Sequence, residues 1–186
     1  MKKWIVAPIV GGVILFLWQF FSWTFSGLHD AEAQYTPKQD SIMAALSANL
    51  DKDGTYMLPT CPPGSSWAEQ EKLGNSLAGK PWAIVTYHTS MNPDMVLPMT
   101  RGLLINILIV FCLIYVLTRS GTPTFIRTIG ASVAIGLICF LIGPYVQHNW
   151  FQTPANTLYG HLVDAFVGWG LVGAYVGWSL NRKKTA

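Results

Sequence analysis

The sequence predicts an all-α membrane protein with four transmembrane helices and a small α+β extracytoplasmic cap inserted between helices 1 and 2. Of the 186 residues, 51% are hydrophobic and only 11% are charged, whereas average soluble domains contain roughly 25% charged residues. Four long stretches are almost wholly apolar, and positive charges collect on one side of them. So few charged residues cannot cover a water-facing surface, which excludes a soluble globular protein. The high apolar content excludes a disordered chain.

Four segments are apolar enough to cross a bilayer, which takes roughly 20 helical residues. They are expected to be helices because lipid offers no water to satisfy backbone hydrogen bonds. The first segment is too long for a signal-peptide core of about 7–15 residues, so we expect a retained span. Pro144 should kink or end the third helix. The predicted order is transmembrane helix 4–26, extracytoplasmic cap 27–100, transmembrane helix 101–118, cytoplasmic turn 119–123, transmembrane helix 124–146, outer loop 147–157, transmembrane helix 158–181 and cytoplasmic tail 182–186.

The orientation follows from the basic residues. Seven of the twelve lysines and arginines fall on one side of the four spans, and all nine acids fall on the other side. The positive-inside rule therefore places both termini in the cytoplasm and residues 27–100 outside it. The outer segments contain no Asn-x-Ser/Thr glycosylation acceptor, and the chain starts Met-Lys-Lys, which favours a bacterial inner membrane. The seven basic residues are Lys2, Lys3, Arg119, Arg127, Arg182, Lys183 and Lys184.

The cap is expected to contain two short helices and two short strands. Thr36-Pro37 is typical of a helix start, and this helix should end near Leu50 before an Asp-Lys-Asp-Gly stop. Residues 56–58 and 83–88 have strand composition, and Ser65 or Ser66 should cap a helix over residues 67–77. A unit of this size has little core of its own. We therefore expect it to gain stability from the membrane helices or from a partner protein.

Asp164 is the one acidic residue inside a predicted span. Charged groups inside a membrane are candidates for function. Helix geometry, however, places Asp164 near the outer boundary of the bilayer. The favoured interpretation is a structural pair of Asp164 with Arg101, or with His161 three residues earlier on the same helix. The alternative is a proton or ion relay. Gln19 and Asn106, the other deep polar groups, are expected to join helices by hydrogen bonds.

The histidines fall on the predicted outer side, where the bundle could gather them into a metal or haem site. The simpler interpretation is that most of the chain outside the membrane lies on that side. We expect no resident cofactor, and the possible metal or haem ligands are His29, His88, His148 and His161.

Small residues recur at four-residue spacing in the last two spans. Such patterns allow two helices to approach closely, so they could seal the bundle or provide a docking face. The residues concerned are Gly168, Gly170, Gly173, Ala174 and Gly177 in the fourth span, and Ser132 and Gly136 in the third.

The function expected from the sequence is that of a non-enzymatic accessory or scaffold subunit, docking onto a larger membrane assembly. The chain lacks phosphate-loop, serine-hydrolase, zinc-protease and Cys-x-x-Cys motifs, and we predict no catalytic residue. The expected partners are the lipid bilayer and other membrane subunits, and no nucleic acid. Two alternatives stay open: a small transporter or channel using Asp164, and a haem- or metal-binding redox subunit using the outer histidines.

Overall fold

The computed structural model describes residues 2–119 and 121–182, with the side chains of residues 2–4 outside that description. The predicted tail beyond Arg182 therefore lies outside the described residues. The chain forms two units: Tyr35–Pro93 is one, and the segments on either side of it form the other. The elements in order are α1 (Lys2–Thr24), a 3-10 turn (Asp30–Glu32), α2 (Gln39–Asn49), β1 (Gly54–Leu58), α3 (Trp67–Ser76), β2 (Ala83–Tyr87), α4 (Val96–Thr118), α5 (Phe125–Phe140), a π-helical turn (Leu141–Tyr145), α6 (Val146–Phe151), a 3-10 turn (Ala155–Thr157) and α7 (Leu158–Asn181).

Within the described residues, four helical segments are long and apolar enough to cross a membrane, and they correspond to the four predicted spans. They indicate an integral membrane protein. The second begins at Val96, earlier than predicted. Pro98 does not prevent this, because it lies in the first turn of α4, where backbone N–H groups have no partner within the helix. The third continues past Pro144 to Phe151 through the π-helical turn. A proline cannot donate the regular backbone hydrogen bond, and the wider turn accommodates its ring.

Helix α7 is central to the helical unit. It packs against α5 on one side and α1 on another, and α4 packs against α1. The buried core between these helices includes Val110, Ile114, Val172 and Val176. Large apolar side chains such as Leu108 and Ile142 point away from this core and are exposed. An apolar surface of this kind is the one a helical bundle presents to lipid.

The Tyr35–Pro93 unit contains the predicted mixture of helices and strands. Strands β1 and β2 pair antiparallel, with Tyr56 opposite Val85. Helix α3 begins with a capping box, in which Ser66 and Glu69 each bond the backbone of the other. Of the two cap residues that the sequence offered, Ser65 and Ser66, the structure has Ser66. Among residues 35–93, all of them described, only Tyr87 is buried. This unit therefore has very little core of its own.

A carboxylate ties the two strands together at one end of the sheet. Asp53, just before β1, accepts hydrogen bonds from the backbone N–H of Thr89 at 2.9 Å and from its hydroxyl at 2.7 Å. The ring of His88 adds a contact at 3.2 Å. These bonds lower the pKa of Asp53 to about 2, and the bond from the backbone N–H of Thr89 has the largest effect. The carboxylate therefore stays ionised at neutral pH, and this link would be lost only as pH falls from about 4 through about 2.

Candidate metal centre

Asp164, in the second turn of α7, is held by three side chains from the other end of the chain. Its Oδ1 accepts a hydrogen bond from the Ser22 hydroxyl at 2.6 Å and another from the Trp18 indole N–H at 2.9 Å. Its Oδ2 lies 3.1 Å from His29 Nε2. The side chain is only 19% exposed. A charge this well shielded needs such partners, because an unpaired buried carboxylate is costly.

The partners on α1 reach Asp164 because α1 and α7 approach closely. Trp18 and Ser22 are four residues apart and therefore share one face of α1. The Trp18 ring lies over Gly168, where an added Cβ would be 2.7 Å from the ring carbon Cδ1. Gly168 thus provides the space in which the indole reaches the carboxylate.

His29 is fixed in position by its surroundings. The chain leaves α1 through Gly27, whose positive φ of 70° favours glycine. The ring of His29 stacks on that of Trp23, with centroids 3.9 Å apart and planes 7° apart. Its edge packs against Gly160 at the start of α7, where an added Cβ would be 2.9 Å from ring atom Cε1. His29 is buried, with 5% of its surface exposed.

Two further side chains complete a cluster at this end of the helical unit. Glu32 Oε1 lies 2.6 Å from His29 Nδ1 and 3.2 Å from His161 Nε2. One ligand atom from each of these residues lies within 4.8 Å of the other two. We call His29, Glu32 and His161 the His29 cluster. Two imidazoles and one carboxylate form a donor set that suits zinc and neighbouring divalent transition metals.

Asp164 is placed where a supporting residue of a metal site is usually found. A histidine that binds metal through one nitrogen typically donates the N–H of its other nitrogen to a carboxylate. Here His29 Nε2 faces Asp164 and Nδ1 faces the cluster. Metal binding would use the tautomer in which Nε2 donates its proton to Asp164 and Nδ1 offers its lone pair to the ion.

A cavity of about 450 Å³ lies next to the cluster. Two members of the cluster, Glu32 and His161, form part of its wall. The rest of the wall comes from α6, from the chain between α6 and α7, and from Ala31 and Pro144. These further wall residues are Ala31, Pro144, Gln147, Thr153, Pro154 and Thr157.

The structure brings together only some of the residues that the sequence singles out. The hydrogen bonds described for Asp164 run to α1 and to His29, and none runs to Arg101 or His161. Arg101 belongs to α4, which packs against α1, and His161 bonds to Glu32 instead. His148 lies apart from the cluster, with Nδ1 2.6 Å from the carbonyl oxygen of Thr153. His88 belongs to the Tyr35–Pro93 unit, where it contacts Asp53.

Sequence reasoning did not single out Glu32, Trp18 or Ser22 as members of a site. A signal for Glu32 was present, since His29-x-x-Glu32 has the spacing that brings two side chains together in one helical turn. Trp18 and Ser22 gave a weaker signal, because polar or aromatic residues four apart are common on any packed helix. Gln19 and Asn106, which the sequence predicts to join helices by hydrogen bonds, bond to each other at 2.7 Å and so link α1 to α4.

The small residues of the last two spans contribute mainly to packing inside the bundle. Added Cβ atoms would be 2.9 Å from Ser132 at Gly173 and 2.9 Å from Phe125 at Gly177. At Gly136 an added Cβ would be 2.5 Å from the ring of Trp169. Gly170 is different, since its nearest neighbour would be Val133 at 4.0 Å, and Ala174 is half-buried. Most of this small-residue surface is therefore covered within the chain.

No protein-family model matches this chain, and the searches of curated proteins and of solved structures give no match either.

Proposed function

We propose that this chain is an integral membrane protein that binds one divalent transition-metal ion at the His29 cluster. The observation that carries the proposal is the placement of the two nitrogens of His29. One lies 3.1 Å from Asp164, and the other lies 2.6 Å from Glu32, whose Oε1 also contacts His161. In known metal sites, a histidine that binds the metal through one nitrogen donates the N–H of its other nitrogen to a carboxylate. His29 has this arrangement, with Asp164 at one nitrogen and further possible ligands at the other.

The spacing of the ligand atoms is compatible with a metal ion after small side-chain movements. Tetrahedral zinc with bonds of about 2.0–2.1 Å places neighbouring ligand atoms about 3.3 Å apart. The distances of 2.6 and 3.2 Å from Glu32 Oε1 lie on the short side of this value. Glu32 and His161 border the cavity and can adjust, whereas Trp23 and Gly160 hold His29 in place.

We further propose that the site opens on the extracytoplasmic side of a bacterial inner membrane, with both termini in the cytoplasm. The support comes from the distribution of charge. The basic residues Arg119, Arg127 and Arg182 lie at the end of the helices opposite the His29 cluster. Basic residues that flank spans favour the cytoplasmic side. The metal would then come from the extracytoplasmic space.

The direct test is a Co²⁺ titration of the full chain in mild detergent, followed by Zn²⁺ competition. We expect one equivalent of Co²⁺ and visible absorption bands typical of a four-coordinate ion, which Zn²⁺ removes. The His88→Gln and His148→Gln variants should bind as the unchanged protein does, because neither histidine belongs to the cluster. Absence of saturable binding, or loss of binding in these two variants, would contradict the proposal.

Asp164→Asn is expected to lower the Co²⁺ affinity by roughly 10- to 100-fold, the range typical for outer-shell partners. With Ser22 and Trp18 still donating to its oxygen, the introduced amide would turn its NH₂ group toward His29 Nε2. The proton of the imidazole would then move to Nδ1, the nitrogen needed for the metal. Asp30→Asn removes a nearby acid outside the cluster and is the matched control. Equal affinities of the two variants would be evidence against an orienting role for Asp164.

The accessory-subunit function stays a second proposal. It is supported by large apolar side chains that are exposed in the Tyr35–Pro93 unit: Tyr35 (78%), Trp67 (79%) and Met91 (89%). Contiguous exposed apolar patches mark contact surfaces, and this proposal takes these three side chains as contributors to one. A stoichiometric partner should co-purify after gentle extraction and be lost in Trp67→Ser. A monomer that retains no partner would oppose this function and would leave the metal proposal unaffected.

A further inference from the structure

We infer that the metal, once bound, keeps one coordination position open toward the 450 Å³ cavity, and that this position takes a small anion of the carboxylate class. The inference rests on the proposed metal site and adds a ligand to it. It follows from the number of protein ligands, the position of the cavity and the ability of an anion to bond directly to the ion.

The ligand number leaves a position free. Structural zinc sites have four protein ligands, whereas catalytic and exchange-competent sites have three and a water molecule. Among the described residues, the group of possible ligands consists of His29, Glu32 and His161. Asp164 is nearby, but its oxygens are engaged by Ser22, Trp18 and the far nitrogen of His29. A tetrahedral ion would therefore take its fourth ligand from outside this group.

The cavity supplies the space for that ligand. Glu32 and His161 are both in its wall, so the two ligands that face away from Asp164 border an accessible space. Its volume is within the range of sites that bind small organic molecules. Gln147 contributes an amide to the wall and Thr157 a hydroxyl, and these groups suit a polar ligand. Pro144 and Pro154 contribute rigid apolar surface.

Direct coordination, and not the net charge of the site, favours an anion. A divalent ion bound by two neutral imidazoles and the Glu32 carboxylate has a charge of +1, and the Asp164 carboxylate behind His29 offsets it. No lysine or arginine is among the residues that line the cavity, so attraction of an anion depends on the metal itself. Binding is then a ligand exchange, in which the anion donates an electron pair to the metal and one bound water leaves.

The test uses the full chain in detergent, loaded with Co²⁺, and sodium azide as the probe anion. We expect azide to change the visible Co²⁺ bands saturably, and acetate to compete with it. Gln147→Trp narrows the cavity from an exposed position on α6 and should weaken azide binding at least tenfold while leaving Co²⁺ affinity within twofold. Asn149→Trp, on the same short helix and also exposed, is the matched control and should bind azide normally.

The outcomes separate the two proposals. Co²⁺ binding without any azide response would overturn the open position and leave the metal site standing. An azide response that is the same in Gln147→Trp as in Asn149→Trp would show that the free position does not face this cavity, and the inference would be wrong. Failure of Co²⁺ to bind at all would remove the metal site and the open position together.

Discussion

Replacing His161 with glutamine is expected to lower the affinity for Co²⁺ and Zn²⁺ by more than about 100-fold, because outer-shell partners alone are worth 10- to 100-fold. His161 Nε2 is one of the three ligand atoms of the His29 cluster. The amide of glutamine is a poor ligand for these ions, which prefer imidazole, thiolate and carboxylate. Only His29 and Glu32 would remain, and two ligands do not hold such an ion firmly.

The His161→Gln variant should still fold, because His161 borders the cavity and its side chain is 26% exposed. Its affinity is best measured by competition with a coloured chelator, alongside size-exclusion chromatography to confirm the folded state. His148→Gln is the matched control, since His148 is outside the cluster and bonds to the carbonyl of Thr153, a residue of the cavity wall. A folded His161→Gln protein with the affinity of the unchanged chain would remove His161 from the site.

The four spans could be predicted from the sequence because their cause is local. A stretch of apolar residues of sufficient length in a chain with few charges is stable only in lipid, and there it must be helical. The boundaries were less predictable. The sequence places the start of the second span at Arg101, but Pro98 and Val96 already lie in the first turn of α4. The third span continues through Pro144 because the wider π-helical turn has room for the proline ring.

The candidate site was only partly predictable, because it depends on which helices are neighbours. The sequence singled out Asp164 because it is an acid inside a predicted span. It singled out His29 and His161 because they are histidines on the predicted outer side of the membrane. Their arrangement requires α1 beside α7, with His29 and Asp164 135 positions apart in the chain. No local pattern encodes that pairing. The sequence paired Asp164 with Arg101 or with His161, and His161 instead contacts Glu32.

The small residues show the same limit. Spacing alone left two uses open, sealing the bundle or docking a partner. The structure covers Gly173 with Ser132 of α5 and Gly136 with Trp169 of α7. These residues therefore set the distance between α5 and α7. A side chain added at one of them should lower the stability of the helical unit.

Gly136→Val is expected to lower the free energy of unfolding by about 3 kcal/mol, at the upper end of the usual cost of overpacking. An added Cβ would meet the ring of Trp169 at 2.5 Å and would also press on the backbone carbonyl of Ala165. Trp169 is a buried core residue, and a backbone carbonyl cannot rotate away. The contact can be relieved only by moving α5 and α7 apart. Gly130→Val is the matched control on the same helix, because its added Cβ would meet nothing within 4 Å.

The difference between the two valine variants is measurable by titrating each from mild detergent into SDS and following helix content. Equal stabilities would mean that α5 and α7 do not meet at Gly136. A second readout separates packing from a general loss of fold. Ala165 directly follows Asp164, so a shift of α7 at Ala165 also displaces the carboxylate relative to Ser22 and His29 and disturbs their hydrogen bonds. The fraction of Gly136→Val that stays folded should therefore bind Co²⁺ more weakly, whereas Gly130→Val should bind it as the unchanged chain does.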